Sequence, residues 1–248
     1  MSKTAAPHRT FLPAGFAAAL FLTLLAAGCI SSPTPTPVLA IATPMKVMYA
    51  AIENDDGFKI PAVNTRRIDP RYLRQVVDTP PSIPGAPGTI VVDPANRFLY
   101  LVSWGGKSIR YGIGVGRQGF AWSGEAYIKD KQHWPKWFPP KEMVDRDPRV
   151  KPFADGMDGG RTNPLGARAL YLWADNKDTL YRIHGTNEPS SIGKAVSSGC
   201  VRMLDQDIAD LYERVPLKTK VIVLDSGGTT PLADVIDKPG AAVPAQKS

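Results

Sequence analysis

From Gly88 onward, short runs of β-branched and aromatic residues alternate with turn residues. "TIVVD" (89–93), "RFLYLVS" (97–103) and "SIRYGIGVG" (108–116) each carry the apolar density of a strand. "DPAN" (93–96) and "WGGK" (104–107) between them read as hairpin connections. "GEAYIKDK" (124–131) suits a fourth strand. A long irregular stretch follows over about 131–164, rich in Pro, Trp and Asp/Gly, and a loop of that length in a compact domain is usually either functional or wrongly assigned as a loop. Strands resume at "ARALYLWA" (167–174) and "TLYRIHG" (179–185), joined by "DNKD". The period then changes. Ile208, Leu211, Tyr212 and Val215 recur at helical spacing, with Asp205 placed to cap the helix. "TKVIVLD" (219–225) closes the pattern as a buried strand. The fold class is mainly β and largely antiparallel, with one notable α-helix.

The N-terminal third is less regular. "MKVMYAAI" (45–52) suggests a strand, and "DPRYLRQVV" (69–77) a short helix with Asp69 as cap and Pro70 at its first position. "PSIPGAPG" (81–88) is a loop leading into the strand-rich region. The division is therefore a leader (1–28), a Pro/Thr linker (29–44), an N-terminal extension (45–87), a catalytic-size domain (88–225) and a disordered tail (226–248).

Composition supports this picture. The chain has 22 glycines and 24 prolines, which suits many strands and turns better than a helical bundle. The formal net charge is +7, but the basic residues are scattered and no nucleic-acid motif accompanies them. That balance fits an anionic envelope surface. "GVGRQG" (114–119) has the spacing of a dinucleotide loop, yet no helical period follows it, so the glycines are read as relieving crowding in a strand and its turn.

Lys3, His8 and Arg9 precede an apolar run, Phe11 to Ala27, interrupted by Pro13 and Gly15. This is the layout of an export signal. Its end, "LLAAGC", resembles a bacterial lipoprotein signal, which implies cleavage before Cys29 and lipid on that thiol, hence a membrane anchor and a periplasmic or envelope location. An ordinary secretory signal is the alternative. If Cys29 carries lipid, Cys200 is an unpaired thiol in an oxidising compartment, because the chain has only two cysteines. A Cys29–Cys200 disulfide is the rival.

Cys200 follows His184 by 16 residues, across a loop rich in Gly, Ser and Pro. A histidine can take the proton of an attacking thiol and return it to a leaving amine. Gly199 permits close backbone approach, and the amides of Gly199 and Cys200 are placed to donate to an oxyanion. Arg202, two residues on, shares a face with Cys200 if the segment is extended, and a guanidinium there can hold a substrate carboxylate. Spacing alone leaves other roles open. His184 can be a satisfied strand-end residue and Cys200 a small buried hydrophobe. A metal site would need His133, His184 and Cys200 together, without any C-x-x-C or H-x-x-x-H element.

"IHGTN" followed by "SSGCVRM" resembles the active-site segment of the L,D-transpeptidases, the YkuD-type peptidoglycan enzymes. "GTIVVDPANRFLYLV", "IRYGIGVGRQGFAWSG", "WPKWFPPKEM" and "NPLGARALYLW" resemble further segments of the periplasmic branch, so the likeness covers about 88–225. It implies a β-sandwich-like catalytic fold, with Cys200 as nucleophile and His184 as its base. It also implies that the Gly185 carbonyl orients the ring and that Gly199 donates to the oxyanion. Arg202, Ser198, Thr186 and Asn187 would meet substrate. Trp134, Trp137 and Phe138 are placed either as a groove wall or as packing for the loop.

The implied reaction is acyl transfer on tetrapeptide stems, releasing D-Ala and forming 3→3 cross-links without metal or cofactor. Water as acceptor would make a carboxypeptidase, and a lipoprotein lysine would give attachment to peptidoglycan. A catalytically silent peptidoglycan-binding module is a further reading. One departure stands out. The family usually has Ser-His-Gly-Cys where this chain has Ser197, Ser198, Gly199 and Cys200. The change bears on substrate orientation and pH dependence more than on the nucleophile.

Overall fold

The computed structural model describes residues 44–116, 122–197, 200–226 and 230–231. The leader, Cys29, the Pro/Thr linker, Ser198, Gly199 and nearly all of the tail lie outside the described residues. The N-terminal region holds helix α1 (Met45–Met48), the hairpin β1 (Ile52–Asp55) and β2 (Phe58–Ile60), and strand β3 (Gln75–Asp78). Strands β4 (Ile90–Asp93), β5 (Phe98–Val102), β6 (Lys107–Gly112), β7 (Val115–Gly116) and β8 (Trp122–His133) follow. Helix α2 (Lys141–Arg146) lies in the long connection to β9 (Arg168–Ala174) and β10 (Lys177–His184). Strands β11 (Ala195–Ser197) and β12 (Val201–Arg202), helix α3 (Asp205–Arg214), β13 (Lys220–Val223) and β14 (Thr230–Pro231) complete the order.

The main sheet runs β12-β10-β9-β8-β13-β4-β5-β6-β3, and a bridge from Gly114 to Arg202 ties the chain beyond β6 back to β12. Sequence dictates the hairpins. Gly105 and Gly106 both take positive φ between β5 and β6, as do Asp175 and Asn176 between β9 and β10. Two successive left-handed residues match the right-handed twist of the flanking strands. At the β4–β5 turn, Asp93 accepts hydrogen bonds from the amide and side chain of Asn96.

Strand β4 shows why its residues read as an unbroken apolar run. Its four residues are all buried, with Ile90 and Val92 in the main core and Val91 in a second cluster with Ile83, Tyr100 and Val102. Both faces are covered, so no polar alternation is selected. Strand β13 pairs parallel to β4 and antiparallel to β8, which confirms "TKVIVLD" as a central strand. The main core joins Leu99, Ile109 and Tyr111 to Leu170, Leu172, Ile183 and Val201, and α3 contributes Ile208 and Leu211. Lys131 donates to the carbonyls of Tyr212 and Val215, satisfying acceptors at the C-terminal end of α3.

The N-terminal third differs from its sequence reading. Residues 45–48 form a short helix rather than a strand, and the extended backbone begins only at Ile52. Asp69 does cap, accepting from the Arg71 amide, but the turn it starts is a single 3-10 turn, Pro70–Tyr72. The residues after it leave the helix because β3 joins the main sheet, pairing antiparallel to β6. Tyr49, Tyr72 and Leu73 pack with Ile192 and Leu204. The Tyr49 hydroxyl donates to Asp207 at 3.0 Å and accepts from the Arg74 amide at 2.7 Å. Buried Arg168 on β9 grips Asp55 of β1 with two bonds of 2.6 Å, and Trp134 donates its indole N–H to the same carboxylate.

The connection between β8 and β9 is more structured than its composition suggested. It contains α2, a 3-10 turn at Lys151–Phe153 and a bridge between Trp137 and Met157. The fully buried Asn163 amide donates to the carbonyls of Pro135, Met157 and Asp158. That one side chain fastens both ends of the loop and delivers Leu165 and Gly166 toward the end of β10.

Candidate active site

Register decides which side chains meet. Strand β10 pairs parallel to β12, with Ile183 opposite Val201 and His184 opposite Arg202. Ile183 and Val201 face the core, so His184 and Arg202 lie on the other face. Cys200, two residues before Arg202, immediately precedes β12 and adjoins the same end of β10. A main-chain hydrogen bond from Arg182 reaches it. Strand pairing thus brings together residues that the sequence separates by the loop.

His184 is 4% exposed, and its Nδ1 lies 2.7 Å from the Gly185 carbonyl oxygen. A carbonyl only accepts, so Nδ1 carries the proton, and in the neutral ring Nε2 is a base. Burial drives the ring pKa down to about 3, assisted by the Arg202 charge and, more weakly, by Arg182, against the pull of the Gly185 and Leu165 carbonyls. The imidazole is neutral at physiological pH.

Cys200 keeps partial solvent access as a residue, yet its thiol is crowded. Burial pushes its pKa up, outweighing the Arg182 main-chain hydrogen bond and the Arg182 and Arg202 charges. The resting pair is therefore thiol and imidazole rather than thiolate and imidazolium. An imidazole in that state can accept a proton, as general-base chemistry requires.

Arg202 is mostly buried and donates from Nη1 to the exposed Glu188 carboxylate at 3.3 Å, with no bond made at Nε among the described residues. Thr186 is buried, and its hydroxyl accepts from the Glu188 amide. Asn187 is exposed and donates to the Thr162 carbonyl, stapling the His184 loop to the long connection. Ser198 and Gly199 lie outside the described residues.

Of the three aromatics, Trp134 is buried against the β1–β2 hairpin, stacking on Phe58 at 4.7 Å. His133 does not converge with the pair. It stands opposite Arg168 and meets Tyr212 and Asp56, on the face that carries α3. A pocket of about 560 Å³, lined among others by Met48, Arg74, Arg168 and Gln206, also lies by α3 and includes neither His184 nor Cys200.

Sequence reading missed the groups around His184. Asp205 was expected to cap α3, but the residue at the cap is Leu204, and no side chain caps the helix. The Asp205 carboxylate turns instead to the amides of Ala167 and Thr186. The signal available was indirect: two glycines, Gly166 and Gly185, in segments far apart in sequence, both touching that carboxylate.

The fold is mainly β, and its strand pairing puts a neutral histidine, held by the next residue's carbonyl, on the face of the strand entered from a cysteine. The chain belongs to the L,D-transpeptidase family: residues 87–223 match the YkuD L,D-transpeptidase catalytic domain. It is 34% identical over 142 residues to the probable L,D-transpeptidase YbiS of Escherichia coli K12, covering 55% of this chain and 44% of YbiS. It is 33% identical over 155 residues to the probable L,D-transpeptidase YcfS of the same organism, covering 58% and 46%. The chain thus spans less than half the length of these relatives. A crystal structure from Brucella melitensis, described as a probable carnitine operon oxidoreductase, is 51% identical, covering 65% of this chain and 99% of its own, with a TM-score of 0.44. That description is the Brucella protein's own. Among the described residues no helix is long and apolar enough to cross a membrane.

Proposed function

We propose that this chain is an exported L,D-transpeptidase that cross-links peptidoglycan through a Cys200 thioester. The observation that carries this reading is the His184 tautomer. With Nδ1–H donated to Gly185, Nε2 is the basic nitrogen of a ring that shares its sheet face with the strand entered from Cys200. Cys200 Sγ attacks the carbonyl between the L-centre of meso-diaminopimelate and the terminal D-Ala of a tetrapeptide stem. Its proton passes to Nε2 as the S–C bond forms. The amides of Gly199 and Cys200 donate to the oxyanion. As the C–N bond breaks, Nε2 returns the proton to the departing D-Ala amine, leaving a thioester. The amine of a neighbouring diaminopimelate then attacks, His184 takes and relays its proton to the thiolate, and a 3→3 cross-link results.

Arg202 holds a substrate carboxylate in this reading, exchanging Glu188 for it. Asn187 and Ser198 border the same substrate, while buried Thr186 shapes the loop. The lipid-bearing Cys29 and the Pro/Thr spacer place the domain over the cell wall from a membrane anchor. Family membership, the Gly185-oriented base and the exposure of Glu188 beside Arg202 support it.

The test is incubation of the full chain with tetrapeptide muropeptides, followed by intact mass of the protein and mass analysis of products. A covalent adduct on the wild type and none on Cys200→Ala are expected, with cross-linked dimers released. Full adduct formation on Cys200→Ala would overturn the assignment of the nucleophile. Tripeptide without dimer would replace the amine acceptor by water, and binding with no adduct would leave a silent binding module.

A further inference from the structure

Two glycines face one carboxylate. A Cβ on Gly185 would stand 2.1 Å from Asp205 Oδ1, and one on Gly166 would stand 2.2 Å from it. Asp205 Oδ1 is the nearest atom to a Cβ at both positions, and at Gly166 the Thr186 amide nitrogen, 2.5 Å away, crowds it as well. The same oxygen accepts from the Ala167 amide at 3.0 Å and the Thr186 amide at 3.1 Å.

The Thr186 N–H belongs to the peptide unit whose carbonyl, on Gly185, accepts from His184 Nδ1. One planar amide therefore joins the ring to the carboxylate. Its resonance couples the two ends: an anion accepting from the N–H draws electron density toward the oxygen and strengthens that oxygen as an acceptor. A catalytic histidine usually has such an anion bonded directly to Nδ1. Here the peptide stands between.

The ring needs this support. When Nε2 takes the thiol proton, His184 becomes a cation in a buried site. Two guanidiniums, Arg202 and Arg182, oppose that charge. We propose that Asp205 is a positioning residue for His184, its carboxylate acting through the Gly185–Thr186 peptide to fix the ring and to offset the imidazolium charge. This rests on the reading of His184 as the base. No extra proton moves: Cys200 loses one, Nε2 gains it, Nδ1 keeps its own and Asp205 stays ionised.

The charge state of Asp205 follows from what surrounds it. Burial raises its pKa to about 6, resisted by the Ala167 and Thr186 amides and by Arg168 of β9, and aided by Asp55 of β1. On its own helix, Asp207 and Asp210 are turned toward Tyr49, Arg74, Tyr111 and Arg214. Above pH 6 or so Asp205 is an anion, and below it the support is lost. The ring's own pKa, about 3, lies well under this range. An acidic limb near pH 6 in the acylation rate would therefore report Asp205 and not His184.

The decisive variant is Asp205→Asn in the full chain, which keeps the Oδ1 acceptor and removes the charge. The expected result is wild-type melting behaviour, an acylation rate lower by about tenfold or more with half-saturation unchanged, and loss of the limb near pH 6. A wild-type rate and pH profile would overturn the proposal, leaving Asp205 a structural acceptor. Asp205→Ala removes acceptor and charge together and should fall further. A second readout does not need the peptidoglycan reading. The His184 Nδ1–H proton resonance should move upfield in Asp205→Asn as its hydrogen bond weakens, and an unmoved resonance would overturn the coupling. A wild type that forms no acyl adduct with any donor would sink the transpeptidase reading, while the resonance would still decide the role of Asp205.

Discussion

Replacing His184 by Gln should change how stability depends on pH, and the size follows from the site. The ring is 4% exposed, and burial, with the Arg202 charge next in weight, holds its pKa at about 3 against the ordinary 6.5. In the unfolded chain it titrates normally. Below pH 6.5 or so the unfolded state gains a proton that the folded state refuses until about pH 3, so stability falls as pH falls across that window. The slope approaches about 1.4 kcal/mol per pH unit once the unfolded ring is mostly protonated, and between about pH 6.5 and pH 4.5 the loss is about 2.3 kcal/mol.

Two carboxylates run the other way. Burial raises Asp205 to about 6 and Asp207 to about 7, so their protonation in the folded state adds stability as pH falls through those values. The wild-type profile alone is therefore a sum of opposing effects. Both carboxylates are present in His184→Gln, so the difference between the proteins isolates the histidine. Urea unfolding of each, at about pH 7.5, 6.5, 5.5 and 4.5, gives that difference. The gap should move in favour of the Gln variant by about 2.3 kcal/mol from about pH 6.5 to about pH 4.5. A gap constant to within about 0.5 kcal/mol would refute the buried, neutral ring and with it the general-base assignment.

Asp55→Ala should destabilise the fold by about 3–5 kcal/mol, because it strands the buried Arg168 guanidinium; urea midpoints measure this, and a loss under about 1 kcal/mol would count against the pairing. Gly185→Ala places a Cβ 2.1 Å from Asp205 Oδ1, so either that carboxylate or the Gly185 backbone that holds His184 must shift. The acylation rate should fall by about a hundredfold in a protein that still folds, as read by intact mass and circular dichroism. A wild-type rate would show that the carbonyl does not position the ring.

Much of the fold was legible because it is local. Period-2 apolar runs, and Gly105–Gly106 or Asp175–Asn176 between them, obey the steric rules of single strands and two-residue turns. Those rules placed most of the catalytic region's strands. The histidine and cysteine were legible as scarce reactive residues, and the family likeness gave them roles. The segment at 45–52 was not legible as a helix start. Its Met and Val residues suit strand and helix equally, and only packing of Tyr49 against Leu204 and its bond to Asp207 fixes the turn. Asp205 was misread for a related reason. An aspartate just ahead of a helical period looks like a cap, and nothing within a few residues reveals amides from Ala167 and Thr186.

The sequence by itself determined the strand-rich order, the turns and the helix after Cys200, because each depends on side-chain shape and near neighbours. Tertiary structure alone decided the rest. Parallel pairing of β10 with β12 set His184 and the approach from Cys200 on one face. Burial and the Arg202 charge made the ring neutral, and two glycines 19 residues apart left room for one carboxylate behind it. Charge and proton position depend on every group within a few ångströms, and the chain brings those groups together only when it folds.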